Sequence, residues 1–145
     1  SYSLAGLRVG MAFADPALIM QMLKVKDSYN VGAIAQILAA AALADQSSMR
    51  ANVARIRATR AHVAAALARN GFEVLPSEAN FIFARPPLPA ATVTAALRER
   101  GFLVRYFAGE RTGDFVRITI GTETEMAEFI AAVTAILDEA RRGNQ

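Results

Sequence analysis

Residue types that build disulfides, metal sites and membrane spans are scarce or missing in this sequence. The 145 residues include no cysteine, which excludes a disulfide framework and a cysteine-based zinc site. They include one histidine, which excludes a histidine-rich metal site. No stretch reaches the roughly 18 unbroken apolar residues of a membrane span. No signal peptide is expected ahead of Ser1, and the cytoplasm is the expected compartment.

Lysine is rare as well. Of the 16 basic residues only Lys24 and Lys26 are lysines, which leaves 14 arginines and a net charge of +3. An arginine excess can indicate nucleic-acid binding, but these arginines form no run, and several share one alanine-rich helical pattern. A solvated helix face is the favoured interpretation. The alternative, a nucleic-acid-binding α/β domain, predicts binding that falls steeply with salt.

The composition is that of a folded protein. Apolar residues make up 54% of the sequence and charged residues 20%, and the length is sufficient for one sizeable domain. The pattern of the sequence changes twice. We predict that residues 1–45 complete a larger domain, that residues 46–71 form a long connecting helix, and that residues 72–145 form a small α/β domain with helices on one face.

The first region contains one strand pattern and two helix patterns. Val9, Met11 and Phe13 alternate with small residues and predict a strand, which has no partner strand nearby in the sequence. Asp15-Pro16 is a helix-start signal. A second helix, predicted from about residue 31 to 44, is apolar on all sides and should therefore be buried or packed against a partner.

The connecting helix and the small domain have clear boundary signals. Ser47 or Ser48 is the predicted N-cap, Asn70-Gly71 predicts a left-handed helix end, and Thr122-x-x-Glu125 is a capping box that starts the last helix. Strands are predicted at 72–75, 80–85, 102–107 and 115–121, and a further helix at 90–100.

The first ten residues, SYSLAGLRVG, place one arginine in a glycine-containing turn ahead of the first strand pattern. Arg8 lies among small residues that leave backbone N–H groups accessible, and its planar guanidinium offers two parallel donors. A doubly negative phosphate is bound well by both features. Taken alone, however, Arg8 is best explained as an ordinary surface arginine beside a glycine turn.

Two other arginines lie in the middle of apolar strand patterns. Arg117 lies in DFVRITIGT and Arg105 in GFLVRYF. A mid-strand arginine is costly unless an anion meets it. Pairing of Arg105 with Glu99 or Asp114 is the competing explanation. Asn80, in PSEANFIF, fits either an ordinary turn or a binding site.

Together these segments resemble the motifs of fold-type I pyridoxal-phosphate-dependent aminotransferases, and most of all the histidinol-phosphate branch. The LAGLR run resembles the turn that follows the cofactor lysine, RITIGT resembles the R-I-T-x-G-T motif, and SEANF resembles the S-x-x-N-F/Y segment. Tyr29-Asn30 resembles P-Y-N-V, with Ser28 in place of the proline. The resemblance implies an α/β fold of the aspartate-aminotransferase-like type, of which this chain supplies the small C-terminal domain and the last strand and helices of the large, cofactor-binding domain.

The resemblance also implies roles for individual residues. Arg8 would bind the phosphate of pyridoxal 5'-phosphate, Arg105 and Arg117 would bind the phosphate of the substrate, and Asn80 would lie on the active-site side of the small domain. The lysine that forms the Schiff base would fall immediately before Ser1. No catalytic residue and no metal ligand is therefore expected within the chain, and the chain alone is expected to be inactive.

The implied reaction is a transamination in histidine biosynthesis that links histidinol phosphate and imidazole-acetol phosphate with 2-oxoglutarate and glutamate. A homodimer is expected, with no nucleic-acid or membrane partner. Three alternatives stay open: another fold-type I aminotransferase, an amino-acid-phosphate decarboxylase that shares these motifs, and a non-catalytic domain that binds small molecules.

Overall fold

The computed structural model describes residues 2–143, which form two compact units that divide between Val53 and Ala54. The division falls inside the long helix α3. The elements, in chain order, are α1 (Pro16–Val25), α2 (Ala33–Ala44), α3 (Gln46–Arg69), β1 (Glu73–Val74), β2 (Phe81–Arg85), α4 (Ala90–Glu99), β3 (Arg105–Tyr106), β4 (Val116–Thr119) and α5 (Glu123–Gly143). The domain boundaries predicted at residues 45 and 71 remain predictions.

The first unit begins with a short 3-10 turn and two helices. The turn, Ala5–Leu7, ends at Arg8, whose φ of 56° lies in the left-handed region. Helix α1 begins as the Asp15-Pro16 signal predicts, because the Asp15 carboxylate accepts a hydrogen bond of 2.8 Å from the Ala17 N–H and proline occupies the first turn.

Two expectations for this unit are not met by the chain itself. The predicted strand at Val9–Phe13 is wrong, because residues 2–53 contain no second strand with which it could form ladder hydrogen bonds. The apolar helix α2 forms, but it is not buried: Ile34 is 75% exposed and Ile37 is 68% exposed. An all-apolar helix needs a covering surface, and the described residues do not provide one.

The N-cap of α3 differs from the predicted residue. Asp45, rather than Ser47 or Ser48, caps the helix: its carboxylate accepts hydrogen bonds from the Ser48 N–H at 3.1 Å and from the Ser47 hydroxyl at 2.9 Å. Hydrogen bonds from the Ser48 side chain and backbone, and then from Ser47, lower the pKa of Asp45 below 3.8. A carboxylate at this position also interacts favourably with the helix dipole, which explains why aspartate outcompetes the two serines.

The second unit is built on one antiparallel sheet with the strand order β1-β2-β4-β3. Its register aligns Ile82 with Ile118 and Ala84 with Val116, and all four side chains are buried. Because side chains alternate along a strand, the residues between them point to the opposite face. One face of the sheet therefore belongs to the core, and the other does not.

Helices α3, α4 and α5 cover the core face. Each helix contributes side chains of its apolar stripe, as the sequence pattern predicts. These buried side chains are Val63 and Leu67 of α3, Val93 and Leu97 of α4, and Phe129, Val133 and Leu137 of α5. The predicted arrangement of a few strands with helices on one face is confirmed.

The predicted helix ends of the second unit are confirmed as well. Gly71 and Gly101 have φ angles of +83° and +84°, which favour glycine, and they end α3 and α4. The capping box forms in full: the Glu125 carboxylate accepts from the Thr122 N–H at 2.7 Å, and the Thr122 hydroxyl accepts from the Glu125 N–H at 3.3 Å. No helix within residues 2–143 combines the length and the hydropathy that a membrane crossing requires.

Candidate anion-binding site

The face of the sheet that points away from the helices, called the open face below, carries arginines and aromatic rings. Its residues are those that alternate with the buried side chains of β2, β3 and β4. They are Phe81, Phe83, Arg85, Arg105, Arg117 and Thr119.

Arg105 and Arg117 lie directly opposite each other on this face. The register of β3 and β4 pairs the two residues, and like charges in that relation destabilise a sheet. Neither arginine forms an ion pair with a carboxylate in the part of the chain that the structure describes, so the expected competitors Glu99 and Asp114 do not neutralise Arg105. Arg85, by contrast, pairs with Glu73. Two positive charges at Arg105 and Arg117 are thus left without a protein counter-charge.

Aromatic rings partly compensate for the missing carboxylate. The guanidinium carbon of Arg117 lies 5.5 Å from the ring centroid of Phe81 and 5.6 Å from that of Phe107. The guanidinium carbon of Arg105 lies 5.1 Å from the same Phe107 ring. Cation–π contacts of this kind stabilise a cation without neutralising it.

One polar atom of this cluster lacks a hydrogen-bond partner. The Nε of Arg117 is buried, and within residues 2–143 nothing accepts a hydrogen bond from it. A buried unsatisfied donor costs on the order of 1–3 kcal/mol, more when the group is charged. Two parallel N–H groups of a guanidinium match two oxygens of a phosphate or carboxylate. An anion on the open face would therefore neutralise the uncompensated charge of the two guanidinium groups.

Asn80 lies at the entrance to β2, next to this cluster in the chain. Its carbonyl accepts a hydrogen bond of 2.9 Å from the Ile120 N–H, and its residue surface is exposed. The structure shows no side-chain contact between Asn80 and either Arg105 or Arg117. Its predicted role in substrate binding therefore stays a prediction.

Arg60 holds the loop that leads to Asn80. Its guanidinium donates to the carbonyl of Ala79 at 2.7 Å and to the carboxylate of Glu78 at 2.8 Å, and its side chain is only 11% exposed. The sequence pattern places Arg60 on the buried stripe of α3, but it does not identify these partners because they lie 18 and 19 residues away. Arg60 is thus a positioning residue of the loop.

Arg8 belongs to the first unit and is considered within it. It is exposed, and none of the carboxylates of residues 2–143 pairs with it. A Cβ added to Gly6 or Gly10 would meet no atom within 4 Å, so the backbone on both sides of Arg8 is accessible. An accessible backbone beside an unpaired guanidinium fits the phosphate of a cofactor.

The two lysines are engaged in local hydrogen bonds. Lys24 Nζ donates to the Gln21 side-chain oxygen at 2.7 Å, and Lys26 Nζ donates to the carbonyls of Asp27 and Tyr29 at 2.8 and 3.1 Å. Both belong to the exposed end of α1 and the turn after it. The described residues also contain no cluster of three potential metal ligands.

The structure thus brings together two of the four predicted site residues, Arg105 and Arg117. Sequence reasoning missed the roles of Phe81 and Phe107. Strand alternation could have placed Phe81 on the same face as Arg117, because the two strands are recognisable from the sequence. Phe107 gives no such signal, because it follows β3 and no strand period applies to it.

The fold and this arginine cluster define a domain of the aminotransferase type. The family model for aminotransferase class I and II matches residues 1–133, so the chain belongs to that family. Histidinol-phosphate aminotransferase from Synechocystis sp. is 46% identical over 137 residues, which cover 94% of this chain and 39% of that protein. Histidinol-phosphate aminotransferase 2 from Rhizobium meliloti is 48% identical over 141 residues, with 94% and 40% covered.

A solved structure shares this fold. Histidinol-phosphate aminotransferase from Sinorhizobium meliloti, whose structure is a complex with pyridoxal-5'-phosphate, superposes with a TM-score of 0.80 at 24% identity and covers 96% of this chain and 39% of that one. The predicted fold class is confirmed. The chain spans about two fifths of the length of the curated relatives that it matches.

Proposed function

We propose that the protein that carries this chain is a histidinol-phosphate aminotransferase. It transfers the amino group of histidinol phosphate to 2-oxoglutarate and releases imidazole-acetol phosphate and glutamate, a step of histidine biosynthesis. The names of the curated relatives support this substrate, and the family match supports the reaction class. As in the expectation from the motifs, the enzyme would act as a homodimer in the cytoplasm.

The observation that carries the proposal is the pair of arginines on the open face. Arg105 and Arg117 face each other with no carboxylate between them, and the Nε of Arg117 has no partner. A phosphate monoester carries nearly two negative charges near neutral pH and has three acceptor oxygens, whereas a carboxylate carries one charge. Two uncompensated guanidinium groups therefore favour a phosphorylated substrate over a carboxylic one.

Pyridoxal 5'-phosphate is the proposed cofactor, and when bound it supplies the electron sink for amino-group transfer. Arg8 would hold its phosphate, since its guanidinium is exposed and unpaired among the described residues and the backbone around it is accessible. Lys24 and Lys26 lie in surface hydrogen-bond networks rather than in an apolar pocket of the kind that activates a catalytic lysine. The proton-transferring lysine is therefore proposed to come from outside residues 1–145.

The residues of the second unit would orient the substrate. Arg105 and Arg117 would hold its phosphate at the open face, while the rings of Phe81 and Phe107 limit the access of water to the guanidinium groups. Fixing the phosphate end restricts where the amine can lie, and this restriction lowers the entropic cost of reaching the reactive geometry. Asn80, at the entrance to β2, would bind the substrate at the edge of the same face.

The test is glutamate formation by the full-length protein with histidinol phosphate and 2-oxoglutarate, compared with histidinol, which lacks the phosphate. Hydrogen bonds to charged groups contribute about 1.5–3 kcal/mol each, so kcat/KM should fall by about 100-fold or more without the phosphate. The 145-residue chain alone serves as a control and should form no glutamate.

Two other results of this assay would contradict the proposed function. Equal rates with histidinol and histidinol phosphate would show that the arginine pair does not select a phosphate. Release of carbon dioxide from a phosphorylated amino acid, without glutamate formation, would identify the decarboxylase alternative instead.

A further inference from the structure

We propose that Phe107 is a positioning residue that holds Arg105 and Arg117 side by side for a phosphate monoester. The choice of ligand rests on the function proposed above, but the geometry does not. A single ring contacts both guanidinium groups, at 5.1 Å from Arg105 and 5.6 Å from Arg117. Within residues 2–143, no other aromatic ring lies within cation–π distance of both of these cross-strand arginines.

Phe107 lies between two arginines, at a position where proteins commonly place a carboxylate to neutralise the charges. Two arginines at a cross-strand position repel each other, and an acid between them would relieve the repulsion. An acid would also cancel the charge that attracts a dianion. An aromatic ring attracts both cations through its quadrupole and adds no net charge, so the pair keeps two positive charges for the ligand.

The backbone around Phe107 is fixed by the loop that follows it. The Thr112 hydroxyl donates a hydrogen bond of 2.9 Å to the Phe107 carbonyl, and the Gly113 N–H donates one of 2.7 Å to the Gly109 carbonyl. The loop is thus closed onto the end of β3. This closure explains how a residue outside the strands can hold its ring in one place on the open face.

The Phe107 ring preorganises the two arginine side chains for ligand binding. An arginine side chain loses rotamer freedom when it binds an anion, and this loss weakens binding. Contact with the ring restricts both side chains before the ligand arrives, so less freedom is lost on binding. Phe107 itself is 36% exposed, which indicates that it is not placed there mainly to fill the core.

The first measurement needs no variant. In NMR spectra of the full-length protein with its arginines selectively labelled, the Hδ protons of Arg105 and Arg117 should be shifted upfield by the ring current of Phe107. Addition of inorganic phosphate, and then of histidinol phosphate, should move the Nε–H signals of both arginines. Hδ protons at random-coil positions, or Nε–H signals that phosphate leaves unmoved, would overturn the inference.

Variants then separate positioning from folding. Phe107→Leu keeps the apolar bulk but removes the ring, and it should weaken phosphate binding about fivefold, the loss expected for an exposed cation–π contact. Phe107→Tyr restores the ring and should restore the affinity. Leu103→Ala, at a residue that is 82% exposed just before β3, is the matched control and should leave the affinity unchanged.

Two results would contradict the role of the ring. In one, Phe107→Leu binds phosphate as tightly as the unmodified chain; in the other, Phe107→Tyr binds as weakly as Phe107→Leu. The proposed function is tested separately by turnover of the full-length enzyme. That enzyme could transaminate histidinol phosphate while the Phe107 variants bind normally, in which case only this inference fails.

Discussion

The two units of the chain differ in what they do with apolar side chains. Among the described residues 2–53 none is buried, although α2 is almost entirely apolar. In the second unit, a smaller fraction of α5 is apolar, but Phe129 and Val133 on one stripe are 2% and 1% exposed. Apolar content therefore does not make a core by itself. A core forms where an apolar stripe meets a matching surface within the same unit.

The exposed apolar side chains of the first unit form the larger part of those on the chain. They include Phe13, Leu18, Met20, Leu23, Val25, Ile34 and Ile37. Large exposed apolar patches are uncommon on soluble monomeric proteins. The two arginines of the second unit show a related principle for charge, because an unpaired guanidinium pair also indicates a missing partner.

The largest expected effect tests the difference in burial directly. Phe129→Ala should lower the free energy of unfolding of the 145-residue chain by about 3–5 kcal/mol, because it opens a cavity in the core of the second unit. Ile34→Ala, at a residue that is 75% exposed, should change it by less than about 0.5 kcal/mol. Chemical denaturation followed by circular dichroism measures both.

The same two variants can also disprove the difference in burial between the two units. A cost of Ile34→Ala close to that of Phe129→Ala would mean that the first unit has a core of its own in solution. In the full-length protein we expect the cost of Ile34→Ala to rise, since the surface of α2 would then be covered.

The next effect separates the functions proposed for the two units. In the full-length enzyme, Arg117→Ala should raise KM for histidinol phosphate by about 10- to 100-fold, since at least one charge-assisted hydrogen bond is lost, and should leave cofactor absorbance intact. Arg8→Ala should do the opposite and release the cofactor on dialysis. Steady-state kinetics and absorbance spectra measure these changes.

Arg111→Ala offers a matched control, because Arg111 is exposed and forms no ion pair within residues 2–143. Its KM and its absorbance should both match the unmodified enzyme. If Arg8→Ala and Arg117→Ala gave the same phenotype, the division of phosphate binding between the two units would be wrong.

The smallest effect compares the two carboxylate caps. Hydrogen bonds from the Thr122 backbone and then its side chain lower the pKa of Glu125 below 4.5. A carboxyl whose folded-state pKa is lowered stabilises the fold at pH values above 4.5 and loses this contribution as the pH falls through its folded-state pKa. Glu125→Gln should therefore weaken the dependence of thermal unfolding on pH in this acidic range.

Asp45→Ala is the counterpart in the first unit. It removes a cap from a helix end that carries no buried residue, so it should change helix content without moving the cooperative unfolding transition. A larger shift of the transition for Asp45→Ala than for Glu125→Gln would contradict this ranking.

Local signals in the sequence predicted most of the second unit. The glycines that end α3 and α4, the Thr122-x-x-Glu125 box and the alternation around Arg117 are all short-range patterns, and the structure contains each of them. The open-face location of Arg105 and Arg117 follows from the same alternation once the strands are paired. Their binding roles are a matter of resemblance and remain to be measured.

The features that the sequence did not predict depend on residues far away in the chain or on neighbouring residues that compete for the same structural position. Asp45 was overlooked as a cap because two serines stood within three residues of it, and aspartate and serine are both favoured N-cap residues. The strand at Val9–Phe13 requires a partner strand that residues 2–53 do not contain. The contacts of Arg60 and Phe107 involve loop residues. The residue periods of strands (two) and helices (3.6) do not predict contacts of this kind.

The alternation of β4 has a consequence for how this domain can change over generations. Val116 and Ile118 maintain the fold, and Arg117 and Thr119 face outward from the same four-residue strand. Substitutions at the outward positions leave the buried pair in place and should therefore have little effect on folding. Insertion of one residue into β4 would exchange the two sets at once, which makes the strand tolerant of replacement but intolerant of changes in length.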